Sequence, residues 1–560
     1  MAMQSTQPLG EALVSSGVIT KDQLEIAVKE QGRTGKRLGE VLMGLGFCQE
    51  QDISRVIARQ AGVKMVDLSQ YRPDPNALEL IDLGFAKQNK LVPVRLNGDE
   101  LTIAMDSTFD VMLIDRLQGK TGKFIEVVQA TESDIMQAID DFYSGTVSQD
   151  DTIEQLTLEA QQKGTADTEL AAEDSPMVKL VDQILLKGVK SGATDIHIEP
   201  DTNTLRTRYR VDGILHQGPA LPKELQSSLI ARLKVMSNLN IAEARLPQDG
   251  RFRFHMGKRQ IDLRVSSFPT IHGENIVLRL LDKGKMILGL EKLGFTPKNL
   301  AVFKSAISRP NGIILVTGPT GSGKTTTLYS ALTYLNNSER KIVTLEDPVE
   351  YEIPLIRQGQ INVRAGFTYS AGMRAILRQD PDIILVGEIR DMETAEIAIQ
   401  AALTGHLVFS TLHTNDSAGS FPRLIDMGIE SFLVSSSVIC VLAQRLIRKI
   451  CPLCKAEYSP TDEELRKLGL NEKGRKYKFY RGKGCESCSS TGYSGRCAIY
   501  EILPVSPRIE KLILERVDGP EIKAVAIEEG MMTLFHDALI KAVNGQTSIE
   551  EVLRVTYTGN

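Results

Sequence analysis

The segment that most constrains this chain is residues 318–325, which read Gly-Pro-Thr-Gly-Ser-Gly-Lys-Thr. It matches the phosphate-loop pattern G-x-x-x-x-G-K-[ST]. The apolar run 312–317 before it predicts a buried strand, and residues 326–332 after it predict a helix. A strand, a glycine loop and a helix together turn backbone N–H groups and the positive end of the helix toward phosphate oxygens. A chance Gly/Ser/Thr-rich loop would explain the letters alone, but the flanking elements favour a nucleotide site.

The residue types of this loop predict separate roles in binding a nucleotide. Lys324 is expected to contact the β- and γ-phosphates, and the hydroxyl of Thr325 is expected to bind Mg²⁺. The predicted nucleotide-binding residues are Gly318, Pro319, Thr320, Gly321, Ser322, Gly323, Lys324, Thr325 and Thr326.

Two acidic segments follow the loop, each at the end of an apolar run. Residues 343–350 read Val-Thr-Leu-Glu-Asp-Pro-Val-Glu, and Glu346 suits a base that polarises the attacking water. In residues 381–391, Glu388 comes directly after an apolar strand pattern. A carboxylate at that position holds Mg²⁺ through water in phosphate-loop enzymes.

A third segment, residues 405–416, ends its strand pattern with His413. The carboxyl ends of parallel strands share one edge of a sheet, and this edge is where α/β folds bind ligands. We therefore predict that His413 senses the nucleotide, although a single histidine at a strand end is more commonly structural.

Composition excludes several other classes of protein. A length of 560 residues predicts about three to five domains. A hydrophobic share of 42% and a charged share of 24% are typical of ordinary globular domains, and a net charge of −5 gives no electrostatic reason to expect nucleic-acid binding. No apolar run approaches the ~18 residues of a membrane span, and the first residues do not resemble a signal peptide. We expect a cytoplasmic protein.

Residues 175–285 carry several strand patterns, a predicted helix at 224–238 and a predicted hairpin turn at Asp212-Gly213. The strands are rich in arginine. A solvated sheet face explains any single arginine, but the set predicts phosphate contact, because a guanidinium from a neighbouring domain can stabilise charge on the γ-phosphate. The arginines are Arg206, Arg208, Arg210, Arg251, Arg253, Arg264 and Arg279.

The N-terminal segment contains a duplicated motif. Residues 8–31 align without gaps with residues 37–60. Apolar residues recur at helical spacing, and Gly17 and Gly46 stand where short helices end, so each repeat predicts a pair of helices. Duplication for packing alone explains the repeated leucines but not the repeated polar residues. These polar residues are Gln31, Arg37 and Gln60.

Four of the seven cysteines form two C-x₂-C pairs, Cys451 with Cys454 and Cys485 with Cys488. Four thiolates in two such pairs predict a tetrahedral zinc site, and a redox pair is the rival interpretation. Residues 442–449, just before the first pair, have the spacing of a basic helix, either a solvated face or a partner site. Three further cysteines are expected to be buried thiols. They are Cys48, Cys440 and Cys497.

The phosphate loop, the acidic segment 344–350, Gly387-Glu388 and the histidine segment together resemble the secretion ATPase superfamily, the motors of type II secretion and type IV pilus assembly. The resemblance implies a Mg²⁺-dependent ATPase in a homo-hexameric ring, with each site closed by a preceding sheet domain. It implies Glu346 as the base and Glu388 at magnesium. The arginines that it places facing the γ-phosphate are Arg210, Arg264 and Arg279.

The same resemblance implies partners: an inner-membrane platform protein and cytoplasmic assembly components, which would hold the protein at the membrane periphery. Four cysteines after the nucleotide domain are similar to those of assembly and secretion motors rather than retraction motors. Two alternatives remain. The presence of Glu346 and Glu388 argues against a scaffold that binds ATP without turnover. The net negative charge of the chain argues against a conjugative or DNA-translocating ATPase.

The repeat pattern R-L-G-x-x-L-x-x-x-G-x-x-x-x-x-x-L-x-x-x-L-x-x-Q resembles the cyclic di-GMP-binding N-terminal domain of MSHA-type pilus ATPases. The resemblance implies that each repeat binds one half of the dinucleotide. Pro8 stands where the first repeat should carry arginine, and it offers neither a charge nor an N–H. The residues implied in binding are Leu9, Gly10, Gln31, Arg37, Leu38, Gly39 and Gln60.

The predicted fold class is a multidomain α/β protein with a RecA-like nucleotide domain. The expected divisions are a duplicated helical motif at 1–62, a small α+β docking domain at 63–143, a linker at 144–174, an arginine-rich sheet domain at 175–285, the RecA-like domain at 286–445, a tetracysteine subdomain at 446–500 and a helical cap at 501–560.

Overall fold

The computed structural model describes residues 8–48, 50–61, 65–66, 68, 74–78, 80–106, 111–143, 149–163, 175–256, 259–282, 289–470 and 477–556. The chain divides into two compact units, residues 1–152 and 153–560. Within the described ranges, no helix combines the length and the apolar character needed to cross a bilayer.

The first unit begins with the four helices that the repeats predict. They are α1 (Leu9–Ser15), α2 (Lys21–Thr34), α3 (Leu38–Gly44) and α4 (Glu50–Ala61). Gly17 and Gly46 have φ values of 72° and 69°, a left-handed conformation that suits glycine just after a helix end. Apolar side chains of both repeats form one small core. The expected helix pairs are therefore present.

The rest of the first unit is a small α+β domain. Its helices are α5 (Pro75–Leu78), α6 (Leu83–Asn89), α7 (Val111–Thr121) and α8 (Glu132–Tyr143), and its strands are β1 (Leu91–Asn97), β2 (Glu100–Met105) and β3 (Phe124–Gln129). The strands pair in the order β1-β2-β3, antiparallel and then parallel. The parallel pair is joined through α7, which is the usual kind of crossover.

The second unit opens with helices α9 (Gln149–Lys163) and α10 (Pro176–Lys190). Part of the predicted linker is therefore helical, and Ile153 and Ala160 of α9 are buried in the core of the sheet domain. Apolar residues at helical spacing give α9 one face to bury, which the polar composition of the segment obscured. Residues 144–148 and 164–174 of that segment lie outside the described residues.

The arginine-rich segment forms a six-stranded antiparallel sheet in the order β6-β5-β4-β9-β8-β7. Its elements are β4 (Ala193–Pro200), β5 (Thr204–Val211), β6 (Ile214–Pro222), α11 (Gln226–Met236), β7 (Gln248–Met256), β8 (Arg259–Thr270) and β9 (Gly273–Asp282). The hairpin at Asp212-Gly213 is present, with φ values of 50° and 86°. One face of the sheet packs in a core with α10 and α11, and alternate residues leave the arginines on the other face.

A seven-stranded sheet forms the nucleotide domain, in the order β12-β11-β13-β14-β10-β15-β18. Its first elements are α12 (Pro297–Ile307), β10 (Gly312–Thr317), α13 (Lys324–Leu335), β11 (Ile342–Glu346), β12 (Arg357–Gln360), α14 (Tyr369–Ile376), β13 (Ile383–Val386), α15 (Met392–Leu403), β14 (Leu407–Leu412), α16 (Ser420–Asp426) and α17 (Ser431–Ser437). Ile313 and Leu315 enter one core and Ile314 and Val316 the other, so the sheet is buried on both faces.

The chain then runs through β15 (Val438–Ile450), β16 (Lys455–Tyr458), α18 (Asp462–Lys467), β17 (Phe479–Gly482) and β18 (Tyr493–Pro504), and ends in α19 (Pro507–Leu514), α20 (Gly519–Glu528), α21 (Leu534–Val543) and α22 (Ile549–Thr556). The helix predicted at 442–449 is wrong, because these residues lie in β15, which pairs with β10 and β18. The cysteine segment is thus an insertion between two strands of the central sheet, and the boundaries expected at 445 and 500 fall inside those strands.

Candidate functional site

The phosphate loop lies between β10 and α13, against the neighbouring strand β15. Gly318 has φ 143° and Gly323 has φ 88°. A Cβ at Gly318 would lie 2.4 Å from the main-chain oxygen of Gln444, and one at Gly323 would lie 2.8 Å from its side-chain Nε2. The Gln444 Oε1 also accepts a hydrogen bond from Thr327 Oγ1 at 2.8 Å. Two of the loop glycines are therefore required by the close approach of β15.

Lys324 begins α13 and lies inside the loop. Its Nζ donates to the main-chain oxygens of Gly318 at 2.7 Å and Pro319 at 3.2 Å. Burial lowers the pKa of Lys324, and the negative charge of Glu388 acts in the opposite direction. The hydroxyl of Ser322 is buried and has no hydrogen-bond partner among the described residues. A half-buried cation and a buried hydroxyl in one glycine-lined loop fit the binding of a phosphate.

The remaining predicted loop residues surround this cradle. Pro319, Thr320, Gly321 and Thr325 are exposed, and Thr326 is half-buried. Gly321 has φ 78° and no atom within 4 Å of a Cβ built on it. The mouth of the loop is thus open at Gly321 and Thr325, on the side where a nucleotide and its metal would enter.

Glu388 follows β13 and lies near Arg390, His413 and Lys324. Its Oε1 pairs with Arg390, and its Oε2 lies 3.5 Å from Nε2 of His413, just after β14. Strands β10 and β13 both pair in parallel with β14, so the loop, Glu388 and His413 follow these strands at the same edge of the sheet. The structure therefore brings together Lys324, Glu388 and His413, as the sequence predicts.

Glu346, the predicted base, ends β11 and is only 5% exposed. Its Oε1 accepts hydrogen bonds from Thr344 Oγ1 at 2.5 Å and from Gln358 Nε2 at 3.2 Å. Its Oε2 accepts one from the hydroxyl of Tyr329 on α13. Burial raises the pKa of Tyr329, and Glu346 raises it further, so this hydroxyl is a donor at neutral pH. Glu346 would have to exchange one of these donors before it could bind water.

The last carboxylate of the acidic segment, Glu350, pairs with an arginine of the sheet domain. Its two oxygens accept from Arg264 Nη2 at 2.8 Å and Nη1 at 3.4 Å. Arg264 was predicted to face a γ-phosphate, but here both of its terminal amino groups are occupied by this carboxylate. Arg210 and Arg279 instead flank Asp195, which lies opposite both across the sheet.

The four cysteine sulfurs lie within 4.8 Å of one another. Sγ–Sγ distances are 3.8 Å for Cys451 and Cys485, 3.9 Å for Cys454 and Cys488, and 3.7 Å for Cys485 and Cys488. Four sulfurs at the ~2.3 Å bond length of zinc would be roughly 3.8 Å apart, so the cluster fits a tetrahedral ion. Burial raises the pKa of Cys488, but the N–H groups of Cys485 and Gly492 outweigh it and lower the pKa to about 6. These N–H groups stabilise a thiolate ligand.

Within the N-terminal unit, Pro8 and Arg37 precede α1 and α3 with nearly the same backbone conformation, φ −54°, ψ 141° and φ −66°, ψ 144°. A Cβ at Gly10 would lie 2.6 Å from Leu24 Cδ1, so this glycine has a packing role. Leu9, Leu38 and Gly39 lie in the small helical core or beside it. Gln31 donates to the main-chain oxygen of Lys36 at 3.2 Å, and the side chain of Gln60 lies outside the described residues.

The comparison with known proteins decides the family. A family model described as "Type II/IV secretion system protein" matches residues 170–554. The type IV pilus assembly ATPase PilB of Myxococcus xanthus is 43% identical, with 97% of this chain and 98% of that protein covered. Type II secretion system protein E of Xanthomonas campestris pv. campestris is 41% identical, with 98% of this chain and 98% of that protein covered.

The chain belongs to the type II/IV secretion system protein family. This confirms the resemblance that the four nucleotide segments carry. The X-ray structure of the Yersinia pseudotuberculosis ATPase DotB matches with a TM-score of 0.51 at 21% identity and covers 68% of this chain and 93% of that chain, which supports the fold. The predicted fold class, a multidomain α/β protein, is confirmed.

A second family model, the MshEN domain, matches residues 61–149 of this secretion family member. The match begins where the second repeat ends. It therefore covers the segment that we expected to be a docking domain, and the duplicated helices lie before it.

Three residues at this site were missed by the sequence analysis. Gln444 was placed in a helix, Glu350 had no role beyond ending the acidic segment, and Asp195 was one residue in a strand pattern. Only Glu350 carried a local signal, since it is a second carboxylate at the end of a strand-like segment. The other two matter through contacts with distant residues, which a single sequence does not reveal.

The approach of β15 to the loop predicts a difference between two glycines. Gly318→Ala should destabilise the protein by about 3 kcal/mol, because a left-handed conformation and a backbone clash both oppose the methyl group. Gly321→Ala should cost only about 1–2 kcal/mol, because its Cβ meets no atom. Urea unfolding of the ligand-free chain measures both. Equal losses would contradict the role given to β15.

Proposed function

We propose that this protein is an ATP-hydrolysing motor for type IV pilus assembly or type II secretion. Two observations support the proposal: membership of the family, and a phosphate loop whose half-buried lysine stands at the same sheet edge as the carboxylate of Glu388. Relatives over nearly the full length are named a type IV pilus assembly ATPase and a type II secretion system protein.

In the proposed reaction, the N–H groups of the loop and Lys324 hold the β- and γ-phosphates. Thr325 and Glu388 would hold Mg²⁺, whose chemistry is to neutralise the charge that develops on the phosphates. His413, next to Glu388, is placed to respond when this carboxylate exchanges its partners for the ion. The chain itself therefore orients the triphosphate and compensates its charge.

The acidic segment supplies the base that polarises water. We keep Glu346 as the proposed base. Its Oε2 is the oxygen that must release a donor, since among the described residues it accepts from the Tyr329 hydroxyl alone. Catalytic hydrogen bonds commonly rearrange when substrate binds. Glu350 is the competing candidate, because its side chain is 26% exposed.

The proposed working form is a homo-hexamer in the cytoplasm, peripheral to the inner membrane. Arginines of one sheet domain would close the site of the next chain, and Arg210 and Arg279 are the better placed, since Arg264 is held by Glu350. The proposed partners are an inner-membrane platform protein and cytoplasmic assembly components, with no nucleic acid. A scaffold without turnover and a DNA-translocating ATPase are the alternatives.

Substitutions at the loop and at the base test the enzyme directly. Lys324→Ala should lower kcat for ATP about a hundredfold or more by removing the charge from the phosphates. Glu346→Gln should lower kcat by about 10²-fold or more if Glu346 is the base. Phosphate release by the purified protein measures both.

Two exposed residues of the same domain serve as matched controls: Lys341→Ala and Glu352→Gln should retain kcat within twofold, about 0.4 kcal/mol. Wild-type turnover in Lys324→Ala would show that hydrolysis does not use this loop, whereas no phosphate release by the wild type would favour a scaffold. Loss of turnover in Glu350→Gln but not in Glu346→Gln would transfer the role of base to Glu350.

We also propose that the four cysteines hold one structural zinc ion. The sulfur spacing and the N–H donors to Cys488 support this, whereas a redox pair would not require four sulfurs in a tetrahedral arrangement. The ion would close the insertion between β15 and β18 without taking part in the reaction.

Zinc content tests this site. The purified wild type should hold about one ion per chain and Cys485→Ser close to none, since a structural site needs all four ligands. Cys497→Ser, a partly buried cysteine outside the cluster, is the control and should keep its zinc. Elemental analysis after dialysis measures the content, and an equal zinc content in all three proteins would rule out this ligand set.

The N-terminal unit is proposed to bind cyclic di-GMP as a regulator. The repeat pattern and the MshEN match at 61–149 support the proposal. Arg37 is exposed at the start of α3 and is available to a phosphate. Pro8 removes the equivalent charge from the first repeat, so one half of the ligand is held less strongly.

A titration of cyclic di-GMP into the full chain tests this regulator. Pro8→Arg should tighten binding about tenfold, because the backbone at Pro8 already matches that at Arg37 and the new guanidinium adds a charged hydrogen bond. Arg37→Ala should weaken it by a similar factor, and Lys21→Ala, an exposed lysine on α2, should not change it. If neither the wild type nor Pro8→Arg gives a heat change, the proposal that cyclic di-GMP binds this chain is wrong.

A further inference from the structure

Five residues of the six-stranded sheet lie directly opposite one another across five adjacent strands. In the order β5, β4, β9, β8 and β7 they are Arg210, Asp195, Arg279, Arg264 and Arg251. Opposed residues share a face with Cβ atoms about 4.5–5.5 Å apart, and like charges in such positions repel. The row contains four guanidinium groups and one carboxylate, which lies between Arg210 and Arg279. Its net positive charge favours an anionic ligand.

Asp195 forms a hydrogen bond with Arg279 and a longer ion pair with Arg210, each through Nε of the arginine. Its Oδ1 accepts from Nε of Arg279 at 3.0 Å, and its Oδ2 lies 3.7 Å from Nε of Arg210. The Thr194 hydroxyl donates to Oδ2 at 2.8 Å and fixes the carboxylate, whose side chain is only 10% exposed. Both contacts use Nε, the inner edge of the guanidinium group.

The outer edges of these two arginines are left available. The side chain of Arg279 is 57% exposed, and its terminal amino groups have no partner in the described part of the chain. Arg210 uses only Nη1, which donates to the main-chain oxygen of Gly213 at 3.2 Å. Arg264 differs, because both of its terminal amino groups are on Glu350. The two arginines beside Asp195 therefore keep terminal amino groups that can bind a ligand, whereas Arg264 does not.

We propose that Asp195 is a positioning residue that holds Arg210 and Arg279 by their Nε edges, so that their outer amino groups form a fork for the terminal phosphate of a nucleoside triphosphate. The inference rests on the proposed ATPase function and adds a residue that touches neither nucleotide nor metal. A fixed carboxylate keeps two long side chains in one orientation and offsets their mutual repulsion.

Asp195→Asn tests the proposal, since it keeps the shape and removes the charge. The expected result is a 10- to 100-fold fall in kcat, because a misplaced catalytic contact costs about 10²-fold. The preference for a fluorescent ATP analogue over the ADP analogue should fall by about tenfold, with the affinity for the ADP analogue unchanged. Asp201→Asn, which breaks the Arg206 pair on the same sheet, is the matched control and should change neither.

A double substitution separates positioning from a structural effect. In the Arg210→Ala/Arg279→Ala background, Asp195→Asn should leave the ATP-to-ADP preference unchanged, because there is nothing left to position. An undiminished effect in that background, or wild-type kcat and preference in folded Asp195→Asn, would overturn the proposal. If Asp195→Asn does not fold, Asp195→Glu takes its place: it keeps the charge but shifts the oxygens, and a retained preference would equally overturn positioning.

Comparison of Lys324→Ala with Asp195→Asn separates the role of Asp195 from the proposed ATPase function. If Lys324→Ala abolishes hydrolysis and Asp195→Asn does not reduce it, the ATPase stands and the role of Asp195 falls. If Lys324→Ala retains hydrolysis, the nucleotide site itself is wrongly assigned.

Discussion

The close contact between the phosphate loop and β15 is the constraint on which the rest of the site depends. The main-chain oxygen of Gln444 leaves no room for a Cβ at Gly318, and its side chain lies over Gly323 and bonds to Thr327 of α13. The loop cannot relax outward without losing these contacts. Its conformation is therefore set by the strand beside it as much as by its own glycines.

Each charged side chain at the site has a partner within the chain, and a bound nucleotide would compete for these contacts. Lys324 donates only to carbonyl oxygens of its own loop, and burial lowers its pKa. Glu388 pairs with Arg390 and lies near His413, and Arg264 pairs with Glu350. A charge removed from water is costly unless it is paired, so these side chains are stabilised by partners within the chain. In the proposed ATPase, exchange of these pairs for phosphate and metal would link binding to movement of the sheet domain, because Arg264 belongs to that domain.

Local patterns allowed much of this arrangement to be predicted from the sequence. Apolar strands that end in Glu346, Glu388 and His413 are recognisable by themselves, and parallel pairing then brings their ends to one edge. The helical repeats and the cysteine pairs are equally local. The error at 442–449 has a physical cause: β15 is buried at most positions, so its apolar residues do not alternate, and its basic residues fall at helical spacing. Pairings such as Asp195 with Arg279, or Glu350 with Arg264, depend on strand register and domain contact, which propensity does not contain.

The antiparallel pair β15–β18 joins features that are far apart in the sequence. Near its middle, Gln444 closes the phosphate loop, and at its far end the pair opens into the cysteine insertion, where Cys451 N–H bonds to the oxygen of Gly492. The N–H of Gly495 on β18 donates to Asp212 Oδ2 at 2.7 Å, and Arg496 lies 3.3 Å from Asp212 Oδ1. Asp212 forms the hairpin turn two residues after Arg210. Four sulfurs drawn onto one ion would fix the open end of these two strands, and with it the hairpin that carries Arg210. The proposed zinc site would in this way stabilise the nucleotide site without taking part in the reaction.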